Sequence, residues 1–544
     1  MISLLSCSSA VVAGVLTHQL YFKRGEHHLS GPKYVEVFFD IYLVFSIAFC
    51  WHFRTGFGSS LIVVGQLSIL YLVGLYSSLV AYRGCFHPLN RFPGPITARL
   101  SNLWFSTKCL NADAHKQLYK LHRDHDTDFL RVGSSDLSIT HPQGIAAIYG
   151  PNSRCIKSDW YDTDFPKKPM MAERDKTKHD KRRRFWSSAF SDKALRGYQQ
   201  RIKRYEEELR NQLKAFQGMP VNIRDWFNFY AFDTMGDLAF GESFGNLTTG
   251  DYHPAAKLIK KGLDIFSLML PTWSVRMMLL IPGSSSSYKT MNEYCWRKIE
   301  SHYREKEHDI PDIASNLFIP FKSRGTEPSK KEWLQLHADS RTIIIAGSDT
   351  TAATLTFLFY FLTREPLHQA RLREEILPFV DGNGDAKHTD LQDLPYLNGC
   401  INETFRLQPL LPATLRRITP PEGIQVGDTH IPGNMVVFCP QYVIGRKEEI
   451  YTHADAFIPE RWFSKPELIR TKGAFAPFSM GTYGCIGKPL ALMNIRSLAA
   501  KLLATFDVAF APGEDGSDVL SKSKDHFTLE PGDLRLVLTL RNQS

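Results

Sequence analysis

Apolar residues follow two patterns along this chain. Before residue 84 they run in three near-continuous stretches, Ile2 to Phe22, Val35 to Phe53 and Phe57 to Tyr82. The third carries no formal charge and is long enough for a bilayer core, which needs about 20 apolar residues. The second contains Glu36 and Asp40, which weakens it. The first lacks the basic leading segment of a cleaved signal peptide. Lys23, Arg24 and Lys33 separate the first two stretches, Arg54 alone separates the second from the third, and Arg83, Arg91 and Arg99 follow. With three spans, the positive-inside rule puts the first loop and the rest of the chain on the cytosolic side. Residues 1–84 are therefore expected to form an N-terminal membrane anchor of one to three transmembrane helices.

Beyond the anchor the pattern becomes amphipathic. His87-Pro-Leu-Asn-Arg-Phe-Pro-Gly-Pro95 interrupts it, because proline fixes its own φ and restricts its predecessor. Residues 85–95 read as a stiff, extended hinge. Helical spacing then dominates over Ala194 to Leu213, Lys331 to Leu362, Leu367 to Leu377, Leu397 to Leu407 and Leu490 to Thr505. Strand-like runs cluster at Gly423 to Val437, around a turn at Pro432-Gly-Asn434, and at Leu534 to Leu540. The plan is mainly α with small β-sheets. An apolar run from Leu263 to Ile281 is broken by Pro271 and is too interrupted for a clear span.

Composition narrows the partners. A length of 544 residues would predict two to four domains. A net charge of +9 is diffuse over such a chain, and no zinc-finger or phosphate-loop pattern accompanies it, so no nucleic-acid partner is expected. Nine cysteines without a Cys-x-x-Cys pair do not form a disulfide framework and suit a reducing compartment.

One cysteine stands apart. Phe478-Ser-Met-Gly-Thr-Tyr-Gly-Cys485-Ile-Gly487 sets it in a glycine-rich loop just before a helical run. Gly481, Gly484 and Gly487 allow sharp turns and a close approach to a planar ring. The helix N-terminus favours an anionic sulfur. Upstream, Glu403-Thr-Phe-Arg406 puts a carboxylate and a guanidinium on one helical face. Ala346-Gly-Ser-Asp349-Thr350-Thr351 brings an acid, a glycine and threonines into an apolar helix, where they are poor formers of buried structure. His179-Asp-Lys-Arg-Arg183 spaces two basic groups one helical turn apart, and Arg416-Arg417 adds two more.

Together these motifs resemble the cytochrome P450 family from about Phe92 to near the C-terminus. Phe478, Gly481, Cys485 and Gly487 fall on its haem signature, Phe-x-x-Gly-x-Arg/His-x-Cys-x-Gly. Tyr483 holds the Arg/His place, without the charge. The resemblance implies a single large haem-thiolate catalytic domain over 96–544. It implies haem b with Cys485 as axial metal ligand, and Phe478, Gly481 and Ala346 against the cofactor. His179, Arg183 and Arg417, with Arg416 as the rival of Arg417, are expected at the haem propionates. Glu403, Arg406 and Arg461 form an expected structural triad. Asp349 and Thr350 are the expected catalytic pair for proton delivery. Ile343, Ala346, Ala353, Leu411 to Thr414 and Phe527 to Leu529 are expected around the pocket. Leu268 to Ile281 matches a lid over the substrate channel. Lys176 to Arg184, with Lys181 and Arg182 foremost, matches the face where an acidic electron donor docks.

The function implied is a monooxygenase that oxidises a lipophilic small molecule with O2 and NADPH-derived electrons. Its donor would be NADPH-cytochrome P450 reductase, with cytochrome b5 as a second candidate partner. The location implied is the endoplasmic reticulum membrane, with the catalytic domain facing the cytosol. The alternative is a haem-thiolate isomerase or dehydratase acting on a peroxide without a reductase. Three apolar stretches and Tyr483 are similar to fungal enzymes of secondary metabolism, so a polyketide, terpenoid or indole-alkaloid intermediate is the expected substrate.

Overall fold

The computed structural model describes residues 4–283, 286–305, 312–413 and 415–541. The three apolar stretches are helical: Leu4–Thr17, extended by a π-turn at His18–Phe22, then Gly31–Phe53 and Phe57–Ala81. The first and third touch backbone to backbone. A Cβ on Gly14 would lie 2.0 Å from the Tyr71 carbonyl oxygen, and one on Gly74 2.1 Å from that of Val11. Small residues at such a crossing let two apolar helices associate where hydrophobic burial gives no driving force. Phe39, Val44, Phe45, Ile62 and Ile69 stay more than 60% exposed. An apolar face that large suits lipid, and the three helices have the character of a membrane anchor. A fourth helix, Lys330–Arg364, is also apolar enough to span, but 67% of its apolar window is buried inside the molecule. It is a core helix.

The hinge differs from the expected extended connector. Pro88–Arg91 forms a short 3-10 helix, capped by the His87 ring, which accepts the Leu89 N–H at 3.2 Å. Leu89 and Phe92 are buried, so the segment packs onto the domain it introduces.

The remaining chain is helical around Lys330–Arg364. Ser329 and Glu332 start this helix with a reciprocal capping box. It packs on Ile223–Phe240, Ser286–Arg304, Pro395–Leu407 and Lys488–Thr505, with Phe227, Phe357, Phe359 and Leu498 fully buried between them. The expected helices all appear, as Asp192–Ala215, Lys330–Arg364, Pro366–Ile376, Pro395–Leu407 and Lys488–Thr505. The largest sheet has five short strands in the order Phe129–Arg131, Asp136–Ile139, Val436–Phe438, Arg417–Ile418, Ile156–Lys157. Its last pair is antiparallel and sets Lys157 directly opposite Arg417.

The broken apolar run becomes two helices, Pro254–Ser267 and Thr272–Met278, joined through Met269 at φ 50° and capped by Pro271. The second packs against Gly31–Phe53 of the anchor and leaves Trp273, Leu280 and Ile281 exposed. The loop between the first two anchor helices also meets the domain. Arg174 donates to Glu26 at 2.7 Å and to Asp162 at 2.6 Å, and His28 lies 3.0 Å from Asp162.

Candidate active site

Cys485, the central helix and a cluster of cations enclose a cavity of about 300 Å³. That is within the range of small-molecule and cofactor sites, roughly 300–1,000 Å³. Cys485 lies at one wall. Its backbone N–H donates to the Phe478 carbonyl at 2.8 Å, closing the loop. Helix Lys488–Thr505 begins three residues later. The sulfur's accessible surface opens into this cavity. Burial pushes the thiol pKa up, while the Gly487 and Lys488 N–H groups and the Arg183 charge oppose that. Gly481 has φ +64°, and a Cβ there would lie 2.8 Å from the Tyr149 carbonyl oxygen. Its lack of a side chain serves the turn and that backbone crossing, not an approach to a ring. Gly487 has no such constraint: the nearest atom to an added Cβ is 3.8 Å away. Phe478 packs edge-on against Phe405, which ties the loop to helix Pro395–Leu407.

Ala346, Gly347 and Thr350 of the central helix line the same cavity. Ala346 leaves open space. The space at Gly347 is taken instead by Met235, whose Cε would lie 2.5 Å from an added Cβ. Thr350 donates its hydroxyl to the Ala346 carbonyl at 2.7 Å, the back-bond typical of a helical threonine. Its neighbour Asp349 faces a second cavity of about 30 Å³, lined also by Lys260, His526 and Glu530. That volume admits a water molecule. Asp349 Oδ1 is shielded from solvent and has no hydrogen-bond partner among the described residues. Burial pushes its pKa up to about 7. Lys260 and Glu530 close the far side as an ion pair at 3.0 Å.

The cations gather at one end. Arg183 donates to the Gly484 carbonyl at 2.7 Å. Arg417 is 2% exposed and donates to the Tyr161 hydroxyl at 3.1 Å. Arg416 turns away toward Asp136, at 3.7 Å. His179 is buried against the edge of Tyr483, with centroids 4.8 Å apart. Burial, then the Lys157 charge, lowers its pKa to about 4, so it is neutral at pH 7. Lys157, which the sequence did not mark, also lines the cavity. Burial and the Arg417 charge bring it down to about 6. Among the described residues neither Lys157 nor Arg417 has a carboxylate partner.

The haem expected from the sequence fits this lining. It needs a soft donor below, an open small-residue face above, apolar walls, and cations for the carboxylates at its edge. Arg417, a buried guanidinium with no carboxylate partner among the described residues, is itself a demand for an anion.

Other expected residues divide. Glu403 accepts from Arg406 at 2.9 and 2.7 Å, from Arg461 at 2.9 Å and from the Trp462 indole at 2.9 Å, all well inside the fold. Ile343, Leu411, Phe527 and Thr528 line the main cavity, whereas Ala353 and Leu529 open onto the small one. Thr414 lies outside the described residues. In the basic helix Lys176–Ala189, Lys181 and Arg184 are exposed. Arg182 is not the free surface cation expected for docking. It is held by the buried Asp339 at 2.7 Å and by the Lys168 carbonyl at 2.8 Å.

Comparison with known proteins agrees with this geometry. The family model for cytochrome P450 matches residues 92–538. Cytochrome P450 monooxygenase notG' of Aspergillus versicolor is 43% identical over 97% of both chains. The tryprostatin B 6-hydroxylase of Aspergillus fumigatus is 41% identical, over 98% of this chain and 96% of that one. The crystal structure of the cytochrome P450DA haem domain shares the fold, with a TM-score of 0.65 at 18% identity over 79% of this chain and 93% of that chain. These relatives support oxygenase chemistry and lend nothing to the peroxide isomerase alternative. A cysteine loop, a threonine-bearing helix and a cationic end around one cavity, in a sequence matched along almost its whole length, make this chain a member of the cytochrome P450 family and one of its monooxygenases.

Proposed function

We propose that the enzyme inserts oxygen into an apolar, ring-bearing secondary metabolite that reaches the site from the membrane. One observation carries the substrate class. An aromatic chamber of about 130 Å³ adjoins the cysteine cavity and shares Tyr161, Ala346 and Phe527 with it. Trp160 and Phe527 stack there at 4.8 Å, with Phe266 beside them. Flat aromatic walls favour a flat, apolar ligand. The tryprostatin B 6-hydroxylase supports the same reading, and tryprostatin B is the first probe to try. Helix Thr272–Met278, packed beside the anchor, supplies an apolar entrance on the membrane side with its exposed Trp273 and with Leu280 and Ile281 just beyond it.

Cys485 would hold the iron, and Arg183 and Arg417 the cofactor's carboxylates. Bound haem supplies oxygen activation, which a thiolate ligand assists by favouring O–O cleavage. The chain's own part is to guide protons and exclude bulk water. Asp349 takes a proton from the water-sized cavity bordered by Lys260, Glu530 and His526. Thr350, able to leave its bond to the Ala346 carbonyl, presents a hydroxyl to the main cavity. Electrons come from NADPH through a reductase docked near the exposed Lys181 and Arg184, on the cytosolic face of the endoplasmic reticulum.

The test is a metabolite comparison in a fungal host with and without the gene, followed by turnover in membranes containing the full chain. Loss of the gene should accumulate an apolar precursor lacking one oxygen atom of the missing product. Conversion should require both NADPH and reductase. Product formed from a peroxide without either overturns the proposal.

A further inference from the structure

The loop between the first two anchor helices is built into the catalytic domain. Its shape is set by His27, whose ring nitrogens lie 2.6 Å from the Tyr34 hydroxyl and 2.7 Å from the Arg24 carbonyl. That places the neighbours of His27, Glu26 and His28, against the domain. His28 Nε2 lies 3.0 Å from Asp162 Oδ2, and Arg174 bridges Glu26 and Asp162. Arg174 is itself held to the sheet, its Nε donating to the Lys157 carbonyl at 3.0 Å. Lys168 is a further partner of Asp162, which is 3% exposed. Burial opposes the charge on Asp162, but the bonds from His28, Lys168 and Arg174 outweigh this and lower its pKa.

Asp162 ends the one-turn 3-10 helix Asp159–Asp162. Trp160 and Tyr161, inside that turn, line the aromatic chamber, and Tyr161 also lines the cysteine cavity. Fixing the last residue of a single turn fixes the two before it, since three residues complete a 3-10 turn. The other end of the turn is tied to the entrance helix, where Thr272 donates its hydroxyl to the Asp159 carbonyl at 3.1 Å. That helix meets the anchor at Gly31, where an added Cβ would lie 3.6 Å from Met277 Sδ. One turn of the chamber wall is therefore held at both ends by groups that lie on the anchor or against it.

We infer that Glu26 and His28 are positioning residues for the substrate chamber: the anchor loop holds Asp162, and through it the Trp160–Tyr161 wall, in the shape that receives a flat aromatic ligand. This rests on the reading that the aromatic chamber receives the substrate. A wall ordered in advance spares the ligand the cost of ordering it. Affinity then depends on two residues that touch no ligand and that precede the family-matched segment 92–538.

The experiment uses the full-length holoenzyme in lipid nanodiscs and two probes that bind haem iron through an imidazole nitrogen. Imidazole itself reads the iron site alone. Clotrimazole, which carries three aryl rings, reads the chamber as well. The Soret shift gives both dissociation constants. Glu26→Ala/His28→Ala leaves Asp162 paired with Arg174 and Lys168, so no buried charge is stranded and the domain stays folded. It should weaken clotrimazole binding about tenfold, the lower-end worth of one charge-assisted hydrogen bond, and leave imidazole within about twofold. With Glu26 kept, His28→Gln should stay near the parent, because its amide still donates to Asp162. Unchanged clotrimazole binding in the double variant overturns the inference. So does equal weakening of both probes, which would be a general disturbance of the haem site. Trp160→Ala separates the two readings. If it weakens clotrimazole while the double variant does not, the chamber stands and the anchor's part in it falls. If it leaves clotrimazole unchanged, the chamber reading falls, and the inference with it.

Discussion

Glu403 and Asp349 are shielded carboxylates on two helices that pack against each other, and they are treated in opposite ways. Glu403 is surrounded by donors: Arg406, Arg461, the Trp462 indole and the Ile458 N–H at 2.9 Å. Arg406 and Arg461 in turn donate to the carbonyls of Ala456, Thr452 and Leu468. Asp349 has an oxygen with no donor among the described residues, beside a cavity that admits water. A matched buried charge locks loops to a helix and has no freedom left for chemistry. An unmatched one can change its protonation state at neutral pH. Where the fold leaves a buried acid unpaired next to the cavity, that acid is available for proton transfer.

The largest effect should follow from breaking the matched site. Glu403→Ala leaves two guanidinium groups buried without a counter-charge. Removing one partner of such a cluster costs about 3–5 kcal/mol, a large part of the stability of a typical domain. Membranes expressing this variant should contain almost no haem-loaded protein by carbon monoxide difference absorption. Wild-type amounts would mean that the cluster does not hold the fold.

Asp349→Asn should do the reverse, leaving folded holoprotein but lowering turnover on the order of 100-fold, as loss of a proton-transfer group does. Its stability profile has a definite sign. The folded pKa, about 7, lies above the ordinary carboxylate value. Well below the ordinary carboxylate value, near pH 3 and under, the acid is protonated in both folded and unfolded states, and Asp and Asn should be equally stable. As pH rises toward 7 the unfolded chain gives up its proton while the folded one retains it. Folding is then progressively disfavoured in the wild type alone. At pH 8 the Asn variant should therefore be the more stable, by about 4 kcal/mol. Thermal melts at the two pH values check this, and equal stability at pH 8 would show that Asp349 is better solvated than its surroundings imply.

These two regions were not equally legible in the sequence. Glu403 and Arg406 are carried by one short motif with fixed spacing, and Arg461 is implied by the family resemblance. Cys485 was legible from its loop, and Asp349 and Thr350 from being polar in an apolar helix. Lys157 was not. It sits on a two-residue strand with no periodicity, and its meaning depends on a pairing with Arg417 that no local pattern encodes. Arg182 was misread for the same reason. In a basic run every cation looks alike until the fold brings Asp339 to one of them. The wall of Trp160, Phe266 and Phe527 likewise combines three distant segments.

Thr350→Ala should have a smaller effect than Asp349→Asn. The hydroxyl bonds to its own helix, so its loss neither opens the core nor leaves a buried charge. Product formation should fall about tenfold while NADPH consumption continues, because reduction does not need this hydroxyl. A loss of turnover as large as that of Asp349→Asn would put the threonine, not the acid, at the head of the proton route.

The smallest effect on turnover should come from Glu206→Gln, which asks whether an unpaired buried acid marks the site or only marks burial. Glu206 lies on helix Asp192–Ala215, is 1% exposed, and has one oxygen without a partner among the described residues. Its other oxygen accepts from Ser497 at 3.0 Å. Burial brings its pKa up to about 7, much like Asp349. It does not line the cysteine cavity or the cavity behind Asp349. Glutamine keeps the shape and the Ser497 bond without the charge. By the same sign argument it should raise stability at pH 8 by about 3 kcal/mol and leave stability near pH 3 unchanged. Turnover, measured with the natural reductase, should stay within about twofold of wild type, since a neutral change remote from the reacting atoms alters no catalytic proton step. A fall comparable to that of Asp349→Asn would erase the distinction between the two acids. It would then be burial anywhere along these helices, and not position beside the cavity, that governs turnover.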